Sequence, residues 1–300
     1  MKTSKTAAAY IALVLSCVLW GTVYIANRYA LTAVTPAELA FIRFFVSAAV
    51  LFPALKIRKE PVGFRKEDTK YFVRIAVLGY FLSIELIMMS TKYAGASLSS
   101  LINSMSPILI TVFAVLILKE KMTAAKILCL IVSLTGVVIV SGGVHDGGTA
   151  FGVILCLCSI LTWSLAAITT RRIAARYDAI HITTTGILLS LLLHIPVAGV
   201  SMIRNGIPSL TPLIVFCLLY SGSVGTALPH FLWNYGLEHL PASTCTMFYP
   251  LMPLTSALLG APLLGEKLGA GFYIGGAMIT SALIISGIAE AHEHAHHPHH

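Results

Sequence analysis

Apolar residues run along this chain in blocks of about twenty, separated by short connections that often hold Gly or Pro. Alternation of period two, the mark of a membrane barrel strand, is absent. Some twenty apolar residues are what a helix needs to cross a hydrocarbon core about 30 Å thick. No water reaches backbone groups there, so blocks of this length are predicted to be helices. The pattern predicts ten, at 7–29, 36–55, 71–91, 96–118, 123–142, 150–170, 180–203, 211–235, 241–264 and 269–289. The first is too long for a signal-peptide core and lacks a small-residue cleavage site, which predicts a retained span.

The blocks also repeat. Residues Ala96 to Ala124 read as a polar-flecked half, then Pro107, then an apolar half ending at Lys119-Glu120-Lys121. The same layout returns 146 positions later: Ala242-Ser243 for Ala96-Ser97, Pro253 for Pro107, Glu266-Lys267 for Glu120-Lys121, and Ala270 for Ala124. Gly225 answers Gly79 at the same offset, and Trp163 answers Trp20 two spans earlier. A chain that repeats at this period divides into two units, 7–142 and 150–289, followed by a His-rich tail at 290–300. Five spans per unit is an odd number, so the second unit is expected to enter the bilayer inverted.

Composition agrees with a membrane protein. The chain is 57% hydrophobic and 11% charged with mean hydropathy +0.87, against about 25% charged in soluble domains. The net charge of +8 raises nucleic acid as a partner, but its distribution argues for topology. Fifteen of the twenty Lys and Arg fall at the amino terminus and in the connections around 56–74, 119–126 and 171–176. Arg28, Lys92, Arg204 and Lys267 fall on the other side, and Arg43 lies within a span. The positive-inside rule then places both termini in the cytoplasm. All six cysteines lie in apolar blocks, which predicts neither disulfides nor a metal site, and Cys156 and Cys158 are expected on opposite sides of a helix. The tail from His292 is expected to be unstructured, with incidental metal affinity. No nucleotide-binding loop and no cofactor motif is present.

Leu19-Trp20-Gly21, Pro36, Arg43, the Ala96-Ser97…Pro107…Glu120 hairpin and its copy at Ala242-Ser243…Pro253…Glu266 resemble the EamA family of the drug/metabolite transporter superfamily. The resemblance covers about residues 10–288. It implies an all-α integral membrane fold of ten helices, with helices 1, 3, 4, 6, 8 and 9 lining a cavity and 5 and 10 at the periphery. It further implies movement of amino acids, other small metabolites or drugs, often outward.

Ionisable groups inside a span cost about 2.5–3.5 kcal/mol on insertion scales, so they are candidates for function. Glu85, in the third span, is expected either to bind a substrate amine and exchange protons, or to sit uncharged and hydrogen-bonded to a neighbouring helix. Arg43 is about 10 Å deep at 1.5 Å per residue. It is expected to serve the scaffold, snorkelling outward or pairing with Glu38, with a carboxylate contact as the other reading.

Trp20, Tyr24 and Asn27 share one face of the first span. That shared face points to a wet or binding surface, and Trp20 with its mate Trp163 is a candidate pair either to clasp a hydrophobic or cationic substrate through ring faces or simply to pack as bulky side chains. Thr226, His230 and Asn234 share a face of the eighth span, and His230 is either a proton relay or a satisfied interhelical contact. Asn103 and its mate Tyr249 precede the two prolines, where broken helices can line a cavity, and Pro107 and Pro253 are expected to act as hinges. The serines from Ser97 to Ser106 are expected to let backbones approach closely.

The sequence therefore predicts a secondary-active exporter of small amphipathic metabolites such as amino acids or organic cations, working by alternating access in the cytoplasmic membrane. Glu85 is the first choice for any proton coupling. The alternative is a carrier of phosphorylated or nucleotide-linked metabolites. An intramembrane enzyme would need converging catalytic groups, and the scattered Glu and His do not supply them. Small molecules and lipid are the expected partners, with no nucleic acid, cofactor or resident metal.

Overall fold

A computed structural model describes residues 2–57, 63–118, 123–142, 147–174, 176–206, 208–239, 245 and 248–296. Among them there are helices and turns but no strand. The helices are α1 (Lys2–Ala30), α2 (Pro36–Ile57), α3 (Thr69–Arg74), α4 (Ser83–Ala94), α5 (Ala96–Asn103), α6 (Ser106–Leu118) and α7 (Ala124–Gly142). They continue as α8 (Gly147–Ile173), α9 (Ala179–Asn205), α10 (Pro212–Gly222), α11 (Leu228–His239), α12 (Leu251–Leu264) and α13 (Ala270–His296). A π-helical segment, Ile75–Leu82, joins α3 to α4, and a second, Ser223–Ala227, joins α10 to α11.

Eight stretches are long and apolar enough to cross a membrane, and Ala124–Val140 and Leu251–Leu264 are shorter apolar helices. Large apolar side chains such as Val138, Leu192, Ile203 and Tyr273 are exposed on the outside of the bundle. In lipid these need no cover. The chain is a multi-pass, all-α membrane protein.

The polar punctuation explains the breaks. Pro107 lacks an N–H for the Asn103 carbonyl four residues back, and the Ser106 hydroxyl donates to that carbonyl instead, at 2.5 Å. The Ser104 hydroxyl also donates to the Leu101 carbonyl, at 2.6 Å, beside the Ser104 N–H at 3.2 Å. The helix therefore stops at Asn103 and restarts at Ser106. Ahead of Pro253, residues 248–250 form a turn, and the Met252 N–H takes up the Tyr249 carbonyl at 3.0 Å. Lys119-Glu120-Lys121 and Ala242-Ser243 lie outside the described residues. The expectation of an unstructured His-rich end is corrected: α13 continues to His296.

Helices pack through small residues and hydroxyls, because lipid supplies no hydrophobic drive between them. Packing of α7 along α13 brings Gly136 and Gly275 so close that a Cβ on Gly275 would lie 2.4 Å from the Gly136 carbonyl oxygen. At the centre, α1 lies against α11 and α12, while α8 lies against α4 and α6. Ser16 on α1 donates to the Pro229 carbonyl of α11 at 2.8 Å, and Ser159 on α8 donates to the Ser83 carbonyl of α4, also at 2.8 Å. A Cβ on Gly79 would meet the Ala166 Cβ at 2.8 Å, and one on Gly225 would meet Val23 Cγ2 at 2.1 Å. Ser16 and Ser159, and Val23 and Ala166, are 143 residues apart; Ser83 and Pro229, and Gly79 and Gly225, are 146 apart.

At one end of the bundle, Glu266 accepts from the Ala96 and Ser97 N–H groups at 2.6 and 3.1 Å. Beside it Tyr29 donates to the Leu263 carbonyl, and Arg28 donates to the Thr91 and Lys92 carbonyls. The connection after α2 is tied down near Asp68, which pairs with Arg176 at 2.8 Å and accepts from the Tyr177 hydroxyl at 2.9 Å. Cys156 is buried and Cys158 exposed, on opposite sides of α8 as expected.

Candidate functional site

A cavity of about 120 Å³ lies inside the bundle. From α1 it takes Trp20, Val23, Tyr24 and Asn27, which a helix places on one face at steps of three and four. From α2 come Arg43 and Phe44. The first π segment and α4 give Tyr80, Ser83, Ile84, Ile87 and Met88, and the break between α5 and α6 gives Asn103 and Ser106. Opposite stand Ser159 and Trp163 of α8, Thr226 of the second π segment, His230 of α11, and Tyr249 and Met252 around the second break. Single-turn π segments are rare and tend to fall at functional sites. Both of these reach the cavity.

The walls are matched in position and mismatched in chemistry. Trp20 faces the cavity and so does Trp163, 143 residues on. At the offset of 146, Tyr80 is answered by Thr226, Ile84 by His230, Asn103 by Tyr249 and Ser106 by Met252. The first wall offers an amide and a small hydroxyl where the second offers a phenol and a thioether.

Trp20, Tyr24, Asn27, Asn103, Trp163, Thr226, His230 and Tyr249 are thus brought together as the sequence predicts. The two indoles have separate surroundings. Trp20 packs on His230, Trp233 and Tyr249 with ring centres 5.4, 5.5 and 6.3 Å away, whereas Trp163 meets Tyr80 edge-on at 6.0 Å. Asn27 accepts from the Ser221 hydroxyl at 2.7 Å. His230 Nδ1 lies 2.6 Å from the Thr226 carbonyl. A carbonyl only accepts, so Nδ1 carries the proton, and in a neutral ring Nε2 is an acceptor with no partner among the described residues.

Glu85 does not line the cavity. Its Oε1 lies 3.0 Å from Nδ1 of His194 on α9, whose Nε2 lies 3.1 Å from the Tyr80 carbonyl. His194 is fully buried, between the Phe44 and Phe81 rings. The side chain of Asn234 lies outside the described residues. The serines expected to allow close packing are buried, and of the five only Ser106 reaches the cavity.

Arg43 takes neither of the two positions expected of it in a scaffold role. It does not pair with Glu38, whose carboxylate accepts from the Thr35 N–H at 2.9 Å and from the Ser201 hydroxyl at 2.8 Å. Nor does it snorkel: it is 7% exposed, and its Nε donates to Thr226 Oγ1 at 2.6 Å. The second helix thereby joins the six that the resemblance implies as cavity helices. Tyr80 carried no signal beyond its place next to Gly79.

A profile of the EamA-like transporter family matches residues 7–142 and again 150–288. The chain belongs to the EamA-like transporter family. It is 22% identical over 273 residues to the uncharacterized transporter YoaV of Bacillus subtilis, covering 89% of this chain and 92% of that one. An uncharacterized transporter of Archaeoglobus fulgidus is 25% identical over 297 residues, covering 97% and 99% of the two chains. The putative permease-like protein YdzE of Bacillus subtilis is 43% identical over 67 residues, which are 22% of this chain and 86% of that one. A crystal structure with 19% identity superposes with a TM-score of 0.67 over 96% of this chain and 98% of its own, a likeness of fold.

Proposed function

We propose that this chain is a secondary-active carrier that moves small amphipathic metabolites outward across the cytoplasmic membrane. It works by alternating access between two inverted five-helix units. The observation that carries the reading is a cavity inside the bundle whose walls come from matched positions of both units. Rocking one unit against the other opens such a shared site to either side in turn. The paired serine bonds and paired glycine contacts support the duplication. The Lys and Arg distribution supports cytoplasmic termini. The breaks ahead of Pro107 and Pro253 leave helix ends at the cavity whose carbonyls are held by single replaceable bonds, which suits them as hinges.

Proton coupling, in this reading, runs through Glu85 together with His194. Nε2 of His194 carries a proton, since it faces a carbonyl. The contact between Nδ1 and Glu85 Oε1 then needs a proton of its own, held either by an imidazolium or by a neutral carboxyl. The pair binds one proton in both descriptions. Losing it sets a lone pair against a carboxylate and removes the bond that links α9 to α4. The titratable and charged groups of the elements packed on His194 lie elsewhere: Glu38 is held by Ser201, Arg43 by Thr226, and His230 turns to the Thr226 carbonyl.

Counterflow in liposomes tests the carrier. Protein reconstituted with unlabelled leucine or phenylalanine inside is expected to accumulate the labelled compound transiently and saturably, and a channel gives no such overshoot. A phosphorylated or nucleotide-linked cargo needs several cations around its phosphates, whereas the described lining offers Arg43 alone. Sugar phosphates and nucleotides in the same assay separate that second reading.

A further inference from the structure

We propose that Arg43 is the anchor for a carboxylate on the cargo, so that the carrier takes small organic anions or zwitterions with an apolar body. The word cargo rests on the carrier reading above; the anion site itself stands on the geometry of the cavity.

The guanidinium is more than nine-tenths buried and lines the cavity. One of its donors is committed, Nε to Thr226 Oγ1 at 2.6 Å. The Thr226 hydroxyl in turn donates to the Ser221 carbonyl at 2.8 Å, which aims its lone pair at Arg43 and fixes the plane of the fork. The two terminal nitrogens make no hydrogen bond or ion pair among the described residues. Glu38, the acid nearest in sequence, is occupied by Thr35 and Ser201, and Glu85 by His194. No Asp or Glu is among the residues lining the cavity.

A buried ion without a partner is costly unless something in the cavity meets it. The partner that suits a rigid planar fork is a carboxylate, which takes two parallel N–H···O bonds. The remaining lining fits the rest of such a molecule. Trp20, Trp163 and Tyr80 offer apolar ring surface, and His230 Nε2 offers an acceptor for an ammonium group. An organic cation would meet Arg43 with no compensating carboxylate, so the expectation of a cationic cargo clasped by indoles is not carried forward.

Binding to the detergent-purified full chain tests this, read by tryptophan fluorescence and by thermal shift at neutral pH. The probes are matched pairs: 4-methylpentanoate against 4-methylpentanamide, 3-phenylpropanoate against 3-phenylpropanamide, and phenylalanine against phenylalaninamide. A carboxylate of at least one pair is expected to bind roughly ten- to a hundredfold tighter than its amide, the range for a charge-assisted bond. Arg43→Gln removes that preference, and Arg43→Lys keeps part of it. Thr226→Val leaves the charge but frees the fork, and is expected to weaken carboxylate binding severalfold and to narrow the ratio of carboxylate to amide binding. That variant keeps the test decisive if Arg43→Gln fails to fold.

Equal binding of carboxylates and amides, no carboxylate binding at all, or a preference that survives Arg43→Gln would overturn the proposal. Carboxylate binding without counterflow keeps the anion site and removes the carrier. Counterflow of amides that Arg43→Gln leaves untouched keeps the carrier and removes the anion site.

Discussion

Arg43 and Glu85 are both ionisable side chains within spans, and the bundle treats them in opposite ways. Arg43 lines the cavity with two nitrogens that have no partner among the described residues, whereas Glu85 lies off the cavity against His194. Each is moored to a π segment, Arg43 through Thr226 in the second and the Glu85 pair through the Tyr80 carbonyl in the first. An intramembrane charge is available to a ligand only when the protein leaves it unpaired. In the proposed reading, the cation serves the cargo and the carboxylate the proton.

The largest expected effect breaks the comparison at Arg43. Arg43→Gln should cost carboxylate binding roughly ten- to a hundredfold while matched amides bind as before, as titrations of the detergent-purified protein would read.

Next come Glu85→Gln and His194→Gln. Each single change strands one member of the pair, and melting curves should show a loss of about 1–3 kcal/mol. The double variant should lose clearly less than the two singles together, because the second change removes a group already orphaned. Additive losses would mean that the two side chains do not act as one unit.

A smaller effect sharpens the role of the π segments. Gly225→Ala forces a Cβ to within 2.1 Å of Val23, and Gly79→Ala to within 2.8 Å of Ala166. Overpacking of this kind costs about 1–3 kcal/mol, with the second segment losing more. Gly225→Ala should also weaken carboxylate binding through Thr226, whereas Gly79→Ala should act on the Glu85 pair through Tyr80.

Glu266→Gln is expected to change least. It keeps the acceptor for the Ala96 N–H but loses the charge at the start of α5, about 0.3–1 kcal/mol in melting.

Much of the fold was legible because membrane helices are written in long apolar runs. The break before Pro107 was legible because a proline frees a carbonyl that neighbouring serines can recover. Eight of the ten predicted cavity residues reach the cavity, since face-sharing on α1 and matched positions in the two units carry that information. The partners of charges were not legible. Glu38 is claimed by Ser201 at a separation of 163 residues, and Glu85 by His194 at 109, and no local pattern encodes either. With Glu38 left free in the reading, Arg43 had a plausible partner, and the carboxylate contact stood only as the second reading. The π segments were foreshadowed only by Gly79 and Gly225.

The division of labour between the two charges is tested most directly by recording cargo and proton flux together. Liposomes holding the wild type or the Glu85→Gln variant, with a pH-sensitive dye inside, are given a labelled carboxylate that binds in the matched-pair assay. The account predicts that the wild type moves protons with the cargo, and that Glu85→Gln retains saturable counterflow while losing proton movement and the pH dependence of transport. Proton-linked flux that persists in Glu85→Gln, or a wild type that moves cargo without protons, would contradict it.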